Sequence, residues 1–130
     1  MIGPSDPCPC GGGGAYGTCC GPLHAGSAAA TAEALMRSRY SAFALGLAPY
    51  LLATWAPAAR PDRLDLDASL RWRRLQIVDT ARGAESDDTG VVEFRAAYRG
   101  PDGHGLLHER SRFSRDDAGR WVYADGEQRA

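Results

Sequence analysis

The chain has 130 residues, 44% of them hydrophobic, which suffices for one modest core and excludes a multidomain enzyme. Charged residues make up 24% and the formal net charge is -1, so neither disorder nor a basic, nucleic-acid-coating surface is expected. No apolar run approaches the roughly 18 to 20 residues of a membrane span, and the first residues lack the blocks of a secretory signal, which predicts a cytoplasmic protein without membrane partners.

The N-terminal segment carries the strongest signal. Cys8, Cys10, Cys19 and Cys20 are the only cysteines, arranged as Cys-x-Cys, eight residues, Cys-Cys. Four thiols this close together form a chelation pattern. Oxidation of the adjacent pair would close a strained ring, and a reducing compartment disfavours any disulfide. Tetrahedral zinc takes four thiolates, and the glycine run 11–14 lets the chain fold back so that both pairs face one ion. One structural zinc is therefore expected, on Cys8, Cys10, Cys19 and Cys20. His24 is the alternative to Cys20 as fourth ligand, and otherwise reads as a surface-loop histidine. A closed site leaves no position for water, and zinc on every thiol leaves no nucleophilic cysteine. Lysine is absent, which excludes Schiff-base chemistry. The glycine run comes after cysteines and no predicted strand, so it is not a phosphate loop.

After this knuckle, Thr31 can cap a helix with Glu33 in its first turn and Gly46 as its stop, predicting a helix over 32–45. Leu35, Met36, Tyr40, Phe43 and Leu47 form one apolar stripe, with Arg39 at its edge. Pro49 suits a first helical position, and Pro57 ends the short helix begun there. Residues 56–67 read as a connector, with one helical turn near 66–70.

From Trp72 the period changes to two, predicting strands over 72–82, 88–99, 105–115 and 120–125, with turns between them. Helices first and an antiparallel sheet afterwards is an α+β order. Alternation turns Val92, Phe94, Ala96 and Tyr98 to the core, and Glu93 and Arg95 outward. On the third strand Leu107, Glu109, Ser111 and Phe113 share the inward face, and His108, Arg110 and Arg112 the outward one, where both arginines can pair with Glu93. An inward carboxylate must be paired or hydrated. The expectation is a buried ion pair between Glu109 and Arg39. The alternative is a wet pocket lined by Arg39, Tyr40, Trp55, Glu109 and Ser111, with Glu109 as a proton-transfer group.

The segment CPCGGGGAYGTCCGPLHAG resembles the SEC-C zinc motif, and LMRSRYSAF, WRRLQI, VEFRA, HERSRF and GRWVYADG, in that order, resemble the YchJ-like family of small bacterial proteins. The resemblance implies a SEC-C knuckle over residues 1–26 and, over 27–130, an α+β domain similar to nuclear transport factor 2. In that fold two or three helices pack on a curved four-stranded antiparallel sheet that forms a cone. Typical SEC-C motifs carry lysines between the cysteine pairs, whereas this knuckle has none, which weighs against nucleic-acid contacts there. No catalytic motif is found. The expected role is that of a zinc-binding adaptor, its knuckle presenting a surface to a protein or ribonucleoprotein partner and its core separate from that of the strand domain. An enzyme or small-ligand binder using the cone pocket around Glu109 and Tyr40 is the alternative, and an open cavity with convergent polar groups discriminates in its favour.

Overall fold

The computed structural model describes residues 2–129. Its elements are α1 (Cys20–His24), α2 (Ala32–Leu45), α3 (Ala48–Ala53), β1 (Arg71–Arg82), β2 (Thr89–Gly100), β3 (Gly103–Arg115) and β4 (Trp121–Gln128), with α2 to β4 in the predicted order. Thr31 begins α2 as expected, its Oγ1 accepting from Ala34 N at 3.0 Å, and Gly46 ends it in the left-handed conformation with φ +75°. Pro49 lies in the first turn of α3, where its missing N–H costs nothing. α1 is not predicted by any sequence pattern. It is five residues long and contains Gly21 and Pro22, so packing of the buried Cys20 holds it and propensity does not. The helical turn expected near 66–70 is a single hydrogen-bonded turn, Leu70 N to Asp67 O at 3.2 Å.

The four strands form an antiparallel meander in sequence order. Two bulges in β1 and one between β3 and β4 interrupt the pairing, and each bends the sheet. This curvature produces the predicted cone. The bulge after Ile77 also turns Val78 out of the core, leaving it 39% exposed. The inward set is as predicted on β2 and β3, where Val92, Phe94, Ala96, Ser111 and Phe113 are buried. On the outer face Arg110 pairs with Glu93 at 3.0 Å and Asp79 at 2.9 Å, and His108 Nε2 meets Glu93 at 2.7 Å. Arg112 departs from the expectation. Its register partner on β4 is Asp125, and it pairs there instead of with Glu93.

The core is continuous. Cys8, Cys10 and Cys20 belong to the same buried cluster as Leu35, Met36, Tyr40, Phe94 and Trp121. The expected separation of the knuckle core from the strand core is therefore corrected: α2 is the shared wall, with the knuckle on one side and the sheet on the other.

Candidate functional site

Two constellations flank α2. In the first, one sulfur from each of Cys8, Cys10, Cys19 and Cys20 lies within 4.8 Å of the others, and none is bonded to another. Tetrahedral coordination at about 2.3 Å places thiolates roughly 3.8 Å apart, so this spread fits one ion. Three of the cysteines are buried and Cys19 is partly exposed. The helix supports the cluster directly. Ser41 donates to Cys20 Sγ at 3.3 Å and stands 3.8 Å from Cys8 Sγ, and Arg37 Nη1 donates to Cys10 O at 3.0 Å. The thiols share protons unequally. Cys10 is held low, at about 4, chiefly by a hydrogen bond from Cys20 and also by the Gly12 N–H, while burial pushes Cys19 up to about 11. Cys20 is pushed up mainly because Cys10 holds its proton. Four thiolates at this spacing cannot coexist without a cation, and a sulfur-only, closed donor set suits a soft divalent ion in a structural role. The residues fit the expected metal.

His24 is neither a ligand nor a surface-loop residue. Its Nε2 lies 2.8 Å from Ser38 O and its Nδ1 2.7 Å from the Tyr16 hydroxyl. A carbonyl only accepts, so Nε2 carries the proton and Tyr16 donates to Nδ1. Tyr50 packs edge-on against the ring, with centroids 4.7 Å apart. Both nitrogens are engaged, and the imidazole ties the knuckle to α2. No spacing rule points to this role.

The second constellation is a cavity of about 240 Å3 between α2 and the sheet. Met36, Phe43, Trp72, Phe94 and Leu107 contribute much of its apolar wall. All five predicted pocket residues line it: Arg39, Tyr40, Trp55, Glu109 and Ser111. The expected Glu109–Arg39 ion pair does not form; no such pair occurs among the described residues. Arg39, 4% exposed, donates through Nη1 to Leu51 O at 2.8 Å and Thr54 Oγ1 at 2.7 Å. Its guanidinium lies over the rings of Tyr123 and Trp55, with Cζ 4.8 and 5.4 Å from their centroids. Burial lowers it to about 10, so it stays charged at neutral pH. Glu109 instead accepts from the Tyr123 hydroxyl at 2.7 Å. Burial, and then the hydrogen bond to Glu109, push Tyr123 up, and burial lifts Tyr40 to about 12, so both remain phenols.

Sequence reasoning missed Tyr123 and Gly126. The bulge after Tyr123 resets the period, so Gly126 pairs with Ser111 and faces the cavity. A Cβ at Gly126 would overlap the Glu109 carboxylate and stand 2.8 Å from the Tyr123 hydroxyl. Glycine there makes the space in which the carboxylate lies. The Ser111 hydroxyl is the one buried side-chain polar atom without a hydrogen-bond partner among the described residues.

The family model described as YchJ, middle NTF2-like domain, matches residues 31–126. The chain is similar to a UPF0225 protein of Streptomyces coelicolor, 62% identical over 125 residues that cover 95% of this chain and 97% of the relative. A UPF0225 protein of Corynebacterium efficiens is 52% identical over 121 residues, 92% of each chain. Among solved structures, the solution structure of a SEC-C motif containing protein from Rhodopseudomonas palustris matches with TM-score 0.80 at 36% identity, covering 95% of this chain and 98% of that one. The crystal structure of a SEC-C motif containing protein from Psychrobacter arcticus matches with TM-score 0.78 at 33% identity, covering 94% and 82%.

Proposed function

The chain belongs to the YchJ family, with a SEC-C cysteine knuckle ahead of a nuclear-transport-factor-2-like domain, and from that premise we propose that it is a small-molecule-binding protein braced by a structural zinc. The observation that carries the reading is the cavity of about 240 Å3, lined on the inward face of β3 by Glu109 and by Ser111, whose buried hydroxyl is unpartnered. A merely structural core fills such a space and pairs such a hydroxyl. Zinc matches the four thiolates in softness and number, and a reducing, cytoplasmic setting keeps those thiols available to it. The adaptor role has less behind it. The cysteine face of the knuckle is packed on α2, and the exposed loop 11–14 is all glycine and offers a partner little to grip.

Ligand-observed NMR with a library of small fragments tests the pocket. Binders should perturb the indole signals of Trp55 and Trp72. They should be lost in Ala96→Phe, which fills the cavity from β2. A library without a binder would refute the reading. Elemental analysis of the native protein should find one zinc per chain, and a different resident metal would correct the assignment.

A further inference from the structure

The polar end of the cavity restricts which small molecules it can hold, a restriction that rests on the small-molecule reading of the site. Glu109 and Ser111 are two residues apart on the inward face of β3, and the glycine at 126, opposite Ser111, lets the carboxylate lean along the strand to the level of that hydroxyl. Tyr123 takes one lone pair of the carboxylate, at 2.7 Å. About three lone-pair sites remain, and all of them can only accept. Ser111, 1% exposed and unpartnered, has a proton to give and lone pairs to receive. The group that completes both at once donates to Glu109 and accepts from Ser111.

We propose that the cavity binds small, uncharged, largely apolar or aromatic alcohols, whose hydroxyl is read jointly by Glu109 and Ser111. A hydroxyl satisfies both partners with one oxygen. An ether or ketone oxygen leaves the Glu109 acceptors unfilled, and a carboxylate brings a second negative charge beside Glu109. Arg39 is the competing group: its Nη1 is committed to Leu51 O and Thr54 Oγ1 and its charge lies over the faces of Tyr123 and Trp55, so an anion would have to draw on its Nε and Nη2 donors alone. Apart from the phenols of Tyr40 and Tyr123 the remaining wall is apolar, from Met36 and Phe43 on α2 to Trp72, Phe94 and Leu107 on the sheet. The volume of about 240 Å3 falls below the roughly 300 to 1,000 Å3 of drug-sized sites, which points to a ligand smaller than a drug.

The test compares three probes of one shape, 3-phenylpropan-1-ol, its methyl ether and 3-phenylpropanoate, by titration calorimetry on the full chain with its metal. The alcohol should bind about tenfold more tightly than the other two, as expected for hydrogen bonds that only it can complete. Ser111→Ala should remove most of that advantage. Glu109→Gln should shift preference toward the ether, because the amide can present a donor where the carboxylate only accepts; a structural role for Glu109 would weaken all three probes alike. Tightest binding of the carboxylate would show that Arg39 selects the head group, overturning the alcohol assignment and leaving the pocket reading intact. Equal binding of the three, unchanged in both variants, would overturn the assignment in the same way. Absence of binding by all three would count against the alcohol class, and the fragment library separately decides whether the cavity binds anything.

Discussion

The two sides of α2 solve opposite problems. On the knuckle side polar groups are matched: Ser41 donates to Cys20, Arg37 to the Cys10 carbonyl, and His24 engages both Tyr16 and Ser38. On the sheet side the buried Ser111 hydroxyl has no protein partner, and its residue lines a cavity of about 240 Å3. A side that completes its own bonding is built to stay closed, whereas a side with incomplete bonding is built to take something in.

Mutagenesis can sharpen or break this contrast. The largest effect is expected from Cys10→Ser, which should abolish stoichiometric metal and lower unfolding free energy by about 5 kcal/mol or more, because metal binding and folding are linked and Cys10 sits in the common core. Elemental analysis and urea denaturation read both, and an unchanged midpoint would mean that the knuckle is an accessory. Next comes Leu35→Ala, on the shared wall and 2% exposed, with an expected loss of about 2 to 5 kcal/mol. His24→Ala should cost about 1 to 3 kcal/mol by leaving the Tyr16 hydroxyl unpaired, and thermal melting at fixed metal loading checks it. On the pocket side Glu109→Gln keeps an acceptor for Tyr123 and should change stability by less than about 1 kcal/mol, whereas rupture of a buried ion pair would have cost about 3 to 5. The smallest change, Ser111→Ala, should leave the midpoint unaltered or raise stability by up to about 1 kcal/mol, since it removes an unsatisfied buried hydroxyl. A large loss at Ser111 would erase the distinction between the two sides.

Much of this architecture is legible in the residues alone, for identifiable reasons. Thr31 and Gly46 mark α2 because capping and left-handed termination are local chemistry. The inward faces of β2 and β3 come from the period of two, and so do the positions of Glu109 and Ser111 at the cavity. What escapes is set by interruptions and by long-range partners. A bulge adds a residue without a composition signature, so neither the pairing of Gly126 with Ser111 nor the inward face of β4 beyond Tyr123 can be read from the period. Arg39 and Glu109 have complementary charges and share a cavity, yet their partners are Leu51, Thr54 and Tyr123, which come from other segments that no local pattern joins to them. His24 resembles a loop residue because its two hydrogen-bond partners come from separate segments.

The bulge in β4 also constrains how this chain can change in length. Upstream of Tyr123 and downstream of Ala124 the strand obeys two different parities, joined at one inserted residue. Deleting Ala124 would remove the bulge and join the two parities into one regular ladder, with Asp125 still opposite Arg112 and Gly126 still opposite Ser111, and would take out the bend that the extra residue puts into β4. One residue can accordingly be lost at the bulge with the inward face kept, whereas a residue inserted between Trp121 and Gly126 must enlarge the bulge or turn Gly126 away from Ser111, so this spacing is limited against lengthening more than against shortening.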